Sequence, residues 1–205
     1  MGNRAVITSR KNFENNGIGI YLHWNGGRDS VEAFLAYCKL KGYRAPTDDN
    51  YGWARLTQVI ANFFGGTTSI GIDTIDHLDC DNGDNGVYII DGWEIVGREY
   101  FEWDEQDGYD LNEFLAAIDE RQPENEQLGA YITAPEVSVS ELKVGDTVYI
   151  RRWNDEIKKV TILGFGEDKI VNGSRVKGLP FAEIVSASTD NPNNYIHDTT
   201  VRKAV

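Results

Sequence analysis

Gly86-Val87-Tyr88-Ile89-Ile90-Asp91-Gly92-Trp93-Glu94-Ile95-Val96-Gly97-Arg98-Glu99-Tyr100 is the stretch on which the fold turns, because it carries the strongest β signal in the chain. An apolar run meets Asp91-Gly92, a dipeptide suited to a tight hairpin turn, and a second β-rich run follows. Asn85-Gly86 supplies a further turn just upstream. The stretch therefore predicts a hairpin. Its apolar run, Val87-Tyr88-Ile89-Ile90, is far short of the ~20 residues that span a bilayer.

Upstream, residues 4–8 and 17–24 read as two strands joined by the polar turn Glu14-Asn15-Asn16-Gly17. Asn25-Gly26-Gly27 breaks the chain. Asp29 or Ser30 can then N-cap a helix with the apolar stripe Val31, Phe34, Leu35, Cys38 and Leu40, and Gly42 suits its end. A second helix, about residues 51–64, spaces Ala54, Leu56, Val59, Ile60, Phe63 and Phe64 mostly three or four apart and stops at Gly65-Gly66. Residues 68–75 are strand-like. Downstream of the hairpin, Asp110 can cap a third helix over residues 111–121, with Phe114, Leu115 and Ile118 inward. Residues 122–135 read as a linker.

After the linker the texture changes. Short β runs fall at 147–150, 159–163, 169–171 and 181–185, with turns at Asn172-Gly173 and Lys177-Gly178. Leu142-Lys143-Val144-Gly145-Asp146-Thr147-Val148-Tyr149-Ile150 resembles the opening strand of SH3-like barrels, where Gly-Asp makes the turn into the strand. The fold class expected is α+β: a mixed or antiparallel sheet with three helices in residues 1–130, then a small SH3-like β-barrel in residues 136–187. Residues 188–205 are polar and expected to be a loosely held tail.

The 205 residues are 40% hydrophobic and 26% charged, with five Trp, eight Phe and ten Tyr, enough bulk for a real core. Two cysteines make no disulfide scaffold for a chain of this length. The first residues hold no apolar signal core, so a cytoplasmic location is expected.

The net charge of −13 is unevenly spread. Residues 1–72 carry 8 Lys+Arg against 5 Asp+Glu, residues 73–126 carry 2 against 18, and residues 127–205 carry 10 against 10. All the excess acidity lies in mid-chain. That argues against direct binding of nucleic acid, which needs clustered Lys and Arg. It leaves room for a basic protein partner or a cation.

His77-Leu78-Asp79-Cys80 puts nitrogen and sulfur ligands at a spacing that lets both reach one ion, and His23 and Cys38 could complete a structural zinc site. Alternatively, Cys38 fills the inner face of the first helix and His23 sits in a hydrogen-bonded pocket. The loop Asp79-Cys80-Asp81-Asn82-Gly83-Asp84-Asn85-Gly86 is rich in oxygen donors. It lacks the EF-hand pattern, with Ile90 where a bidentate Glu is needed, and reads as Asn-Gly turns with solvated carboxylates. A thiol–imidazole pair of Cys80 and His77 would suffer from Asp79 and Asp81, which raise a thiol pKa. No Gly-x-Ser-x-Gly elbow or phosphate-binding loop is present, and an enzyme is the minority reading.

Glu99-Tyr100-Phe101-Glu102-Trp103-Asp104-Glu105-Gln106-Asp107-Gly108-Tyr109-Asp110 mixes carboxylates with aromatics. Held on a scaffold, Glu99, Glu102, Asp104, Glu105, Asp107 and Asp110 can imitate phosphates in the nucleic-acid groove of another protein, with Trp103 as an anchor. The alternative is a solvated acidic face with Phe101 and Trp103 turned into the core.

Arg4-Ala5-Val6-Ile7 followed by Tyr21-Leu22-His23-Trp24-Asn25-Gly26 resembles a group of small bacterial and phage proteins. There an Arg-Ala/Ser-x-Ile strand precedes a Tyr-x-His-Trp-Asp-Gly strand and a helix. Asn25 replaces the group's Asp, and Gly26-Gly27-Arg28 replaces its Gly-Tyr-Pro; the group has no established activity, so the resemblance implies architecture and little else. Over most of residues 1–121 the chain also looks like proteins carried on phages and mobile elements of Gram-positive bacteria. In setting, acidity and candidate metal it resembles type II anti-CRISPR inhibitors of Cas9, though no motif specific to them is present. The resemblance implies a non-enzymatic inhibitor that occupies a basic channel, most directly that of Cas9, and blocks DNA loading. The alternatives are a metal- or thiol-dependent enzyme centred on His23, His77 and Cys80, or an adaptor protein.

Overall fold

Ala5–Ser9 is buried along its whole length, as a strand can be only when both faces of its sheet are covered. The computed structural model describes residues 2–46, 50–66, 69–105, 108–151, 157–167, 169–171, 174–176, 178–182, 196 and 200–204. The expected turn Asn172-Gly173, residues 183–185 of the last expected strand, and Asp107 lie outside them. The chain divides into two compact units, Met1–Gly129 and Ala130–Val205. Among the described residues, no helix is long and apolar enough to cross a membrane.

The first unit runs β1 (Ala5–Ser9), α1 (Arg10–Glu14), β2 (Ile18–Leu22), α2 (Arg28–Leu40), α3 (Asn50–Phe63), β3 (Ile70–Thr74), β4 (Val87–Asp91), β5 (Glu94–Glu99) and α4 (Leu111–Glu120). Its sheet has the order β3-β2-β1-β4-β5. Only the central β1–β4 pair is parallel; β1–β2, β2–β3 and β4–β5 are antiparallel. The sheet is mixed and the class is α+β. The 86–100 stretch is a hairpin, with Gly92 at φ +60 in its turn.

Pleating sorts the side chains onto two faces. The register places Ile7, Ile20 and Tyr88 on one face, and Val6, Tyr21 and Val87 on the other. On that second face Val6, Val87 and Ile89 are wholly buried under Phe13 of α1 and under Ile75, Leu78 and Cys80. The mid-chain segment 75–80 is therefore a lid on the sheet. Helices α2 and α3 bury Val31, Phe34, Leu35, Leu56 and Ile60, and α2 packs mainly against α4. Each fully buried aliphatic side chain contributes ~1.5–3 kcal/mol over leaving it in water.

Helix ends follow local chemistry. Asp110 Oδ1 accepts from the Asn112 N–H at 2.9 Å, as its capping role requires. Gly65 and Gly66 take φ +67 and +77 where α3 stops. α2 begins earlier than expected: Gly27 is its cap, and Asp29 sits in the first turn, where a carboxylate complements the helix dipole. α1 is an additional short helix, capped by the Ser9 hydroxyl.

The second unit holds β6 (Glu136–Ser138), β7 (Thr147–Arg151), β8 (Ile157–Phe165), β9 (Lys169–Val171), β10 (Ser174–Val176), β11 (Pro180–Ala182) and β12 (Thr200–Lys203). An antiparallel sheet of order β11-β8-β7-β12-β6 covers Leu142, Val148, Ile150, Val160, Ile162 and Val201, while β9 and β10 form a separate hairpin. Gly145, at φ +91, and Asp146 make the expected turn into β7; Asp146 accepts from the Lys143 N–H at 2.9 Å. The expected barrel closure is not formed: among the described residues β6 and β11 do not pair. Both edge strands are only three residues long.

Residues 200–203, expected in a loose tail, are instead a central strand. Val201 is buried, and Arg202 Nη1 donates to the carbonyls of Tyr131, Ile132 and Ala134.

Candidate functional site

Asn82 is buried, and its side chain organises the loop over residues 79–86. Oδ1 accepts from the N–H of Asp84 at 3.0 Å and of Gly86 at 3.1 Å, and Nδ2 donates to the Asp79 carbonyl at 3.1 Å. Gly83 and Gly86 take φ +69 and +59, so both Asn-Gly pairs are turns. Arg4 Nε donates to Asp84 Oδ2 at 2.7 Å, and Arg4 Nη1 lies 3.4 Å from Asp79. The hydrogen bond from Arg4 holds the Asp84 carboxyl below the usual carboxylate range. These two carboxylates face a guanidinium.

The four expected metal ligands are not brought together. His23 is exposed at the end of β2, its ring edge-on to Trp24 at 4.9 Å. Cys38 is fully buried in α2, and burial pushes its thiol up. His77 is exposed, with Nδ1 3.3 Å from Asp73 Oδ1. Cys80 turns inward to the second sheet face, where Sγ donates to the Ile75 carbonyl at 3.6 Å. Burial, and then Asp79, push its thiol up as well. The 3-10 turn at Ile75–His77 explains the divergence: it commits Ile75, Leu78 and Cys80 to covering the sheet and leaves His77 in water. Among the described residues, no three His, Cys, Asp or Glu side chains form a group that could hold a metal. Nor is the Cys80 thiol poised as a nucleophile, since its proton is directed at a carbonyl and its thiolate is disfavoured.

An open apolar groove of about 530 Å³ lies between α3 and β2–β3, over Ile20 and Trp53. Among the described residues, none of the side chains that line it is titratable.

Much of the acidic segment is met by cations from the first third of the chain. Arg10 Nη1 bonds Glu99 at 2.7 Å, Lys39 Nζ bonds Glu94 at 2.9 Å, and Lys41 Nζ bonds Glu126 at 3.0 Å. Asp119 is buried, accepting from Tyr37 Oη at 2.6 Å and from the N–H groups of Leu128 and Gly129 at 2.7 and 2.8 Å. The segment is therefore not one continuous array of free carboxylates.

Within the expected partner-binding set the roles divide. Glu99 belongs to the pair with Arg10, and Asp110 is the α4 cap. Glu105 is exposed but paired: both its oxygens lie 2.8 Å from Arg98 Nη1, and Oε1 lies 3.2 Å from Arg28 Nη1. Glu102, Trp103 and Asp104 are left on the surface, and Trp103 is 73% exposed. Phe101 does turn inward, onto the Arg98 guanidinium at 3.7 Å, and Tyr88 stacks on the same group at 3.8 Å.

Arg98 is the organising residue that the sequence reading passed over. Its signal was available, because it is one of only two basic residues among the 18 carboxylates of residues 73–126. Arg28 also bonds Glu32 at 2.7 Å, and Tyr109 donates to Glu32; burial, and then this hydrogen bond, push the Tyr109 hydroxyl up to about 12. No family model matches the chain, and no curated protein or solved structure is detectably similar to it.

Proposed function

We propose that the protein is a non-enzymatic inhibitor that docks on a basic, nucleic-acid-binding protein through the face centred on Trp103. The observation that carries this reading is the 73% exposure of Trp103 between the exposed side chains of Glu102 and Asp104. A tryptophan in water leaves a large apolar area unburied, and tryptophans are enriched among the residues that anchor interfaces. Two flanking carboxylates favour a cationic surround and steer the approach to one. The ion pairs within the first unit narrow the acidic face, so the reading is a local anchor with flanking charge instead of an extended imitation of DNA. The inward-turned Cys80 and the exposed, separately placed His23 and His77 support binding over catalysis.

Cas9 is the partner to test first, because the resemblance in acidity and setting points to it and its guide-bound form carries a basic channel for DNA. The protein is added to a Cas9–guide RNA complex before or after target DNA, and cleavage is followed. Inhibition only when the protein is added first is the expected result. Full cleavage at large excess, across several Cas9 orthologues, would remove Cas9 as the partner.

A further inference from the structure

We infer that residues 100–105 form a two-position strap, hinged at Tyr100 and latched by Glu105 on Arg98 and Arg28, and that the latched position presents Trp103. This rests on the reading that the Trp103 face binds a partner.

The hinge is a backbone outlier. Tyr100 has φ +53, a conformation that L side chains rarely adopt and that an aromatic residue takes only when its surroundings impose it. Those surroundings are present. Beneath the turn lies Gly86, where a Cβ would collide with the carbonyls of Glu99 and Tyr100. The Tyr100 ring meets Phe13 edge-on at 6.4 Å, and the next side chain, Phe101, stacks on Arg98.

The latch is the charged end of the same strap. The Arg98 side chain is only 11% exposed and is clamped between Tyr88 and Phe101, and its Nη2 donates to the Asn85 carbonyl. Arg98 Nη1 meets both oxygens of Glu105, and Arg28 adds a second cation. Charge-assisted bonds to a part-buried guanidinium are stronger than neutral ones, so Glu105 joins the Phe101 stack on Arg98 in holding the strained turn closed. Releasing Glu105 lets Tyr100 relax to negative φ and swings Phe101–Asp104 away from the sheet. A partner that binds the closed strap has its affinity reduced by whatever fraction of molecules is open.

Chymotryptic cleavage after Phe101, whose ring is held on Arg98, tests this without any partner, so latch and partner reading can fail separately. Glu105→Gln should speed cleavage there at least about tenfold while the buried β1 and β4 strands stay uncut. Arg28→Gln, which leaves buried Arg98 in place, should speed it less. If both variants stay within about twofold of the parent, the latch is wrong. Tyr100→Asn, which tolerates positive φ, should slow cleavage in the Glu105→Gln background. Faster cleavage there would show that the ring contact with Phe13, and not backbone strain, governs the hinge.

Discussion

Arg4 Nε donates to Asp84 Oδ2 at 2.7 Å across 80 positions of sequence, tying the start of β1 to the loop that precedes β4. The contact lowers the Asp84 pKa, so its contribution to stability is full above the ordinary aspartate pKa of ~3.9 and is lost as the pH falls through the lower folded value. Asp84→Asn should lower Tm at pH 7, and the gap from the parent should shrink as the pH is taken down toward 2. Thermal melts at pH 7, 4 and 2 check this; a gap that stays constant with pH would show that shape, not charge, matters at the site.

Asp119 serves three donors at once, Tyr37 Oη and the N–H groups of Leu128 and Gly129. Tyr37→Phe removes one donor and should cost ~1–2 kcal/mol. Asp119→Ala strands a buried hydroxyl and two backbone N–H groups and should cost ~3 kcal/mol or more. Urea titrations of both variants measure the difference, and equal costs would contradict the shared-acceptor arrangement.

Gly86 combines φ +59 with no room for a Cβ. Gly86→Ala should therefore destabilise by about 2 kcal/mol or more, whereas Gly83→Ala, with the same sign of φ but open space around it, should cost less. The ranking is the test.

Both thiols are pushed up by burial. Cys80 should react with a disulfide reagent more slowly than free cysteine, whose pKa is ~8.5, and Cys38 only when the unit unfolds. Fast labelling of Cys80 at pH 7 would revive the thiol chemistry that its geometry argues against.

The periodic helices and the Asp91-Gly92 hairpin were legible in the sequence, because apolar spacing and turn residues act locally. The five-residue α1 was not: Arg10–Glu14 holds one apolar residue, Phe13, too few to set a period. β12 was hidden because its polarity belongs to Arg202 and Lys203, whose heads are bound to backbone carbonyls and to Asp146. His77 and Cys80 looked like neighbours for one ion, but which of them turns inward depends on the sheet that residues 75–80 must cover. The acidic run was legible as charge, while its pairing with Arg4, Arg10, Lys39 and Lys41 comes from contacts 55 or more positions apart in sequence. Trp103 stands among the partner-binding candidates because of its place in the acidic run, and its exposure follows only from the fold.

The most direct measurement is the affinity of the protein for a Cas9–guide RNA complex at two salt concentrations, beside a variant carrying Glu102→Gln, Trp103→Ala and Asp104→Asn. These three side chains are exposed, so the variant should fold as the parent does. The predicted result is parental binding that weakens with salt, and a loss of about 30-fold or more in the variant with a shallower salt dependence. Parental binding that the triple substitution leaves unchanged would contradict the assignment of the Trp103 face.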